Sequence, residues 1–451
     1  MMKQEDVIKQ LRRSDAQKIK VAITDIDGIL RGKYMQTEKF LSAAESGFGF
    51  CNVVLGWDSH DVCYDNVKYT GWHSGYPDAK VNIDIDAFRT VPWDNHVPFF
   101  LGDFVDNDDK PLPICPRQLL KQSVAQAEVL GMFPKFGMEF EWFNFQETPD
   151  TLVEKDFHGL KPLTPGMFGY SILRSSYCGE YFNALMDLLR EFDVPLEGLH
   201  TETGPGVYEA AIAFSDALEA ADRAVLFKTS VKEIAYNYGI IASFMARWNA
   251  SLPGCSGHLH QSLQDQSGKN VFFDKTDPNQ MSSTFKSYLA GQLRCLPEIL
   301  PMFAPTVNSY KRLVEGYWAP TKATWSIDNR TVALRVINGS EKSIRVENRV
   351  PGADVNPYLA IAASLASGLY GVENKLNLEQ EAVRGSGYEA SGAAFPKTLR
   401  EATQRFESSA IAKELFGREF VEHFSATRHW ESQQYANAVT DWELKRYFEL
   451  G

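Results

Sequence analysis

The chain has 451 residues, 44% of them hydrophobic and 23% charged, an ordinary globular composition with length enough for two domains or one large one. Its 58 acidic residues outnumber the 46 basic ones, for a formal charge of -12, so the surface repels polyanions and nucleic acid is not an expected partner. No apolar run approaches the about 20 residues that span a bilayer, the charged stretch Met1–Gln17 lacks a signal-peptide core, and the six cysteines are scattered without a C-x-x-C pair, which together point to a soluble, cytoplasmic protein with reduced thiols.

The first segment, with Val7, Ile8 and Leu11 on one side, predicts a short amphipathic helix. Val21–Asp27 and Ile29–Met35 predict a hairpin turning at Asp27-Gly28, because glycine supplies the positive φ that such turns need. Strand-like pieces follow at Val81–Phe88 and Pro98–Val105, so residues 1–110 read as a small β-rich domain. The proline-dense Pro111–Arg117 forbids regular pairing and marks a boundary. Residues 111–451 then alternate helical and strand-like runs, a larger α+β or α/β domain. Helices are expected at Gln118–Leu130, Gly179–Phe192 and Asp216–Tyr238, and strands at Lys135–Phe145 and Thr331–Val336.

Four stretches of the larger domain carry chemistry. In Met138-Glu-Phe-Glu-Trp142 the alternation of a strand puts Glu139 and Glu141 on one face, roughly 7 Å apart, and the apolar residues on the other. Two carboxylates that close repel unless a cation joins them, and a hard divalent ion is the usual one. Glu202 and Glu209 flank a Gly-Pro-Gly turn that follows His200, and His258 and His260 share a face just after the Gly254-Cys-Ser-Gly257 turn. Arg312, Arg330, Arg335, Arg345 and Arg349 crowd one span, and guanidinium forks suit phosphate and carboxylate oxygens. Singly, each stretch reads more readily as a solvated strand face, a core or surface histidine or a salt-bridge ladder. Together they equip a chain for phosphoryl transfer from ATP, although no P-loop, kinase glycine loop or G-x-S-x-G elbow is present.

In order and spacing, Gly56-Trp-Asp58-Ser59, Met138–Glu141, Glu202-Thr-Gly-Pro-Gly206 with Glu209, Ser256–Ser262, Asn308–Leu313, Asp328-Asn-Arg330, Arg345–Arg349 and Asn356–Leu359 resemble the glutamine synthetase family. The resemblance implies an N-terminal β-grasp domain and a catalytic domain whose open antiparallel barrel forms a funnel around two or three divalent cations, Mg2+ or Mn2+. It implies Glu141, Glu202 and Glu209 as ligands of one cation and Glu139, His258 and Glu347 as ligands of another. Arg312, Arg349 and the Gly254 backbone match glutamate contacts, Arg330 matches the residue that neutralises the transferring phosphoryl group, and Tyr170, His260, Ser262, Arg335 and Arg345 match nucleotide contacts. Asp58 matches an acid that deprotonates the incoming amine and comes from a neighbouring subunit, in a dodecamer of two hexameric rings.

Two positions depart from the family pattern. The flap motif G-Y-E-A-P of ammonia-using members reads Gly316-Tyr-Trp318-Ala-Pro320 here, and Pro253 replaces the asparagine before the glutamate-binding glycine. Trp318 accepts no proton, but its ring can pack on the carbon part of an amine or hold an alkylammonium, each worth on the order of 1 kcal/mol. The expectation is therefore an ATP-dependent glutamate–amine ligase, with glutamine synthetase proper and a non-catalytic, lengsin-like structural protein as the alternatives.

Overall fold

The structure is a computed structural model that describes residues 4–106 and 108–450. The expected hairpin forms from β1 (Lys18–Thr24) and β2 (Leu30–Gln36), paired antiparallel across the Asp25–Ile29 turn. A helix, Thr37–Ser46, crosses to β3 (Phe48–Cys51), and the long β4 (Asp78–Val91) pairs antiparallel with β5 (Val97–Val105), which returns parallel to β1. The sheet order β2-β1-β5-β4-β3, curved around that helix, is the β-grasp arrangement.

Strand alternation divides the small sheet between two cores. Val21, Ile23, Phe100 and Phe104 face a local core with Val7, Leu11 and Phe40, while Ala22, Phe99 and Leu101 turn the other way into the main core. All nine residues of β5 are buried, as expected of a strand covered on both faces. The helix Thr37–Ser46 was not expected from the sequence, because only Phe40 and Ala43 are buried along it and that stripe is too thin to show a period.

The larger sheet comprises β6 (Phe133–Phe145), β7 (Leu196–Thr201), β8 (Val207–Ile212), β9 (Ser215–Asp216), β10 (Ile241–Ser243), β11 (Gly257–Gln264), β13 (Trp325–Ile327), β14 (Leu334–Ile337) and β15 (Arg345–Asn348); β12 (Lys322–Ala323) pairs apart from it with β16 (Ala393–Ala394). Its order is β13-β14-β15-β11-β6-β8-β7, with β9 and β10 on the ends of β6. β6 is the keel of the sheet: Phe140 and Trp142 pack on Phe227 of the helix Ala217–Asn237, and Glu139 and Glu141 face the other way. Behind it the helix Pro357–Glu373 is buried along nearly its whole length, and Gly371 and Gly291 let it approach the helix Ser283–Cys295 so closely that a Cβ on Gly291 would lie 2.3 Å from the Ser367 carbonyl.

β14 starts at Leu334 rather than at the expected Thr331, because the Asn329 carboxamide accepts from both the amide and the hydroxyl of Thr331 and bends the chain there. Arg117 joins the small sheet to the helix Ala217–Asn237 of the large domain: its buried guanidinium donates to both carboxylate oxygens of Asp222 on that helix and to Asp103 on β5. At the far end the helix Arg418–Asn437 returns to the small sheet, where Arg428 donates to Asp27 at 2.6 Å. All six cysteines are free, and no helix among the described residues is long and apolar enough to cross a membrane.

Candidate active site

Strand register assembles the first group of ligand-type side chains. β11 runs antiparallel between β6 and β15, with His258 opposite Glu139 and His260 opposite Glu347, so residues distant in sequence meet on one face. His258 Nδ1 lies 3.0 Å from Glu139 Oε1 and 3.4 Å from Glu347 Oε1, and its other nitrogen is buried without a partner. His260 Nε2 lies 3.7 Å from Glu139 Oε2. Glu347, 1% exposed, also accepts from Arg349 at 2.5 Å and Arg335 at 3.0 Å. Burial opposes its ionisation, but His258 and Arg349 bring it down to about 2, and the two histidines likewise hold Glu139 well below the carboxylate range. Burial and Arg349 lower His258, the direction that suits an imidazole acting as a metal ligand.

A second group sits one strand over. Glu209 on β8 lies opposite Glu141 on β6 and His200 on β7, and Glu202 follows the end of β7. His200, Glu202 and Glu209 bring ligand atoms within 4.8 Å of one another, and Glu202 Oε2 is buried with no hydrogen-bond partner. Glu141 Oε2 accepts from the Ser256 amide at 2.6 Å. Burial and the neighbouring Glu139 and Glu141 push Glu209 up, and Glu209 in turn raises His200. So many carboxylates with an orphaned oxygen among them suit a cation. His200 had no role in the sequence reading; its signal was the i, i+2 spacing to Glu202, which shares a face only once β7 is known to be a strand.

Beside these groups lies a cavity of about 910 Å3 lined by His260, Ser262, Arg330, Arg335 and Arg345, four of the five expected nucleotide contacts plus the expected phosphoryl-neutralising arginine. Its walls add apolar Phe136, Phe214 and Ile344 and charged Lys135, Glu197 and Lys342, which no local pattern in the sequence joins because they are scattered through two strands and two loops. Tyr170 does not line it: its ring stacks on His200 at 4.4 Å, beside the second group.

Gly254 and Arg312 meet at the far side. A Cβ on Gly254 would lie 2.3 Å from the Ala246 carbonyl and 2.9 Å from Arg312 Cγ, so the turn tolerates no side chain. Arg312 is buried and donates to Val350 O and Ser256 Oγ. Trp318, 59% exposed and at φ +63°, lines an open cavity of about 550 Å3 with Asp328, Arg330 and Val383. Asp58 stands apart from both groups within the chain: it accepts from the His60 and Val62 amides and from the Trp430 indole.

Comparison with known proteins agrees with this geometry. Residues 113–447 match the family model for the glutamine synthetase catalytic domain. Type-1 glutamine synthetase 2 of Dictyostelium discoideum is 55% identical over 100% of this chain and 87% of its own length, and a glutamate–isopropylamine ligase of a Pseudomonas species is 38% identical over 96% of this chain and 95% of its own. A solved GmaS complex with ADP superposes with a TM-score of 0.86 at 25% identity, covering 98% of this chain and 99% of that one. The chain therefore belongs to the glutamine synthetase family, and it is an ATP-dependent carbon–nitrogen ligase.

Proposed function

We propose that this ligase joins the γ-carboxylate of glutamate to an organic amine through a γ-glutamyl phosphate. The observation that carries the amine half is Trp318, an exposed indole on the flap where ammonia-using members of the family have a proton-accepting glutamate. It borders an open cavity with Asp328 and Arg330, where its ring can hold an alkylammonium group. Relatives support both readings, one named for isopropylamine and one named as a glutamine synthetase. The second keeps ammonia as the alternative substrate.

In this reading, ATP occupies the larger cavity, with His260, Ser262, Arg335 and Arg345 on its phosphates. Glutamate lies between Arg312, Arg349 and the Gly254 backbone. Glu139, His258 and Glu347 would hold one divalent cation and Glu141, Glu202 and Glu209 another, with Mg2+ or Mn2+ supplying positive charge against the phosphate oxygens. The unpartnered His258 Nε2 and Glu202 Oε2 support such occupants. Arg330 neutralises the phosphoryl group as it moves to the γ-carboxylate, where charge stabilisation chiefly acts. The amine nitrogen then attacks the acyl carbon, phosphate leaves, and the proton goes to Asp58.

Because Asp58 meets neither ligand group within its own chain, we infer that it serves a neighbouring subunit, in a dodecamer of two hexameric rings. We also take residues 1–110 and 111–451 as the two domains and, from the free thiols, the cytoplasm as the compartment. ATP turnover with glutamate and a panel of alkylamines, polyamines, aromatic amines and ammonia tests the substrate. At least one organic amine should exceed ammonia in kcat/KM, and Trp318→Glu should move the preference toward ammonia by about 10-fold, the equivalent of roughly 1.4 kcal/mol. Ammonia preferred over every amine would establish the glutamine synthetase reading instead.

A further inference from the structure

We propose, on the reading that this site holds divalent cations, that His200 is itself a ligand of the cation gathered by Glu202 and Glu209, bound through Nε2. The geometry around the imidazole assigns its two nitrogens. Nδ1 lies 3.1 Å from the Thr201 carbonyl, which can only accept, so Nδ1 carries a hydrogen; Nε2 lies 3.2 Å from Glu209 Oε1 with a proton shared between them, and a bound cation would take that proton's place. An imidazole that donates from one nitrogen to a carbonyl and offers the other to a carboxylate cluster is the arrangement that fixes metal-bound histidines. Glu202 Oε2, buried and unpartnered, is the independent sign that the cluster lacks a positive occupant.

The surrounding chain is built to hold the ring in that pose. The Thr201 carbonyl also accepts from the Tyr170 amide at 2.7 Å, and the Thr201 hydroxyl bridges the Phe168 carbonyl and the Ser171 amide. These bonds seat Tyr170 at φ +56°, a backbone region unusual for a large side chain, with its ring stacked on the imidazole at 4.4 Å. Tyr170 is thus a positioning residue for His200. Glu141 Oε2 is already engaged by the Ser256 amide, so a nitrogen donor from β7 completes what the carboxylates leave open. An imidazole among carboxylates shifts a site from Mg2+ toward Mn2+ or another borderline ion, because Mg2+ prefers all-oxygen surroundings.

The test uses the metal-free, full-length protein and Mn2+ alone. Titration followed by electron paramagnetic resonance should resolve two classes of bound Mn2+, and pulsed measurements should show nitrogen coupling in each. His200→Gln should weaken one class by about 100-fold, the top of the range for losing an outer partner of a ligand, and abolish its nitrogen coupling. Tyr170→Ala, at an exposed residue, should weaken the same class by about 10-fold. His200→Asp should retain binding but lose the preference for Mn2+ over Mg2+. Unchanged Mn2+ affinity and nitrogen coupling in His200→Gln, or an unchanged preference in His200→Asp, would overturn the assignment. A wild-type protein that binds no Mn2+ would instead remove the cation reading on which it rests.

Discussion

Glu347 shows how tightly individual residues are tied at this site. Its carboxylate faces Arg335, Arg349 and His258 while being 1% exposed, so Glu347→Ala would strand two guanidinium groups and cost roughly 3–5 kcal/mol of stability besides its effect on chemistry. Glu139, about one-fifth exposed and contacting only the histidines, is the cleaner probe. Glu139→Ala should lower glutamate-dependent ATP turnover at least about 100-fold with the oligomer still assembled; turnover near wild type would refute its place in the phosphoryl-transfer machinery. At this scale the acids and arginines were legible in the sequence, because charged side chains in alternating or turn contexts stand out. His200 was not, since its partnership with Glu209 depends on a strand pairing that no local pattern announces.

At the scale of elements, β6 was the most legible, because a 13-residue strand with apolar and acidic faces declares both its period and its orientation. β7 and β8 escaped, as short strands around a glycine-rich turn with mixed burial. The helix Arg418–Asn437, which carries Trp430 to Asp58, shows what its docking depends on. Burial, partly offset by the Leu55 backbone, pushes His423 on this helix from 6.5 down to about 4. Between those values the unfolded chain binds the proton that the folded chain refuses, so the stability His423 carries is complete above about pH 6.5 and is lost as pH falls toward 4. Urea midpoints on metal-free protein should therefore drop by the equivalent of about 2 kcal/mol between pH 7.5 and pH 5 from this group. His423→Leu should remove that part of the acid loss, and an identical loss in both proteins would place the acid sensitivity elsewhere.

At the scale of the whole molecule, Arg117 and Arg428 lock the small sheet to the large domain, and Asp58 is held there by the Trp430 indole, with no hydrogen bond to its own chain's ligand groups among the described residues. If neighbouring subunits share sites, a mixture of Asp58→Asn and Glu139→Ala subunits, dissociated and reassembled together, should regain about one quarter of wild-type activity, as expected for random pairing of the two defects across an interface. No recovery on mixing would confine each site to one chain. The sequence by itself determined the family, the ATP-dependent ligase chemistry and the acids, imidazoles and arginines available, since residue types in a fixed order survive without coordinates. Only the tertiary structure decided which of them meet: the β6–β11–β15 register that joins Glu139 to His258 and Glu347, the β7–β8 register that adds His200, and the stacking that takes Tyr170 from the nucleotide cavity to that imidazole. The reason is physical, because pairing between strands is set by packing against a shared core rather than by the residues that happen to face the funnel.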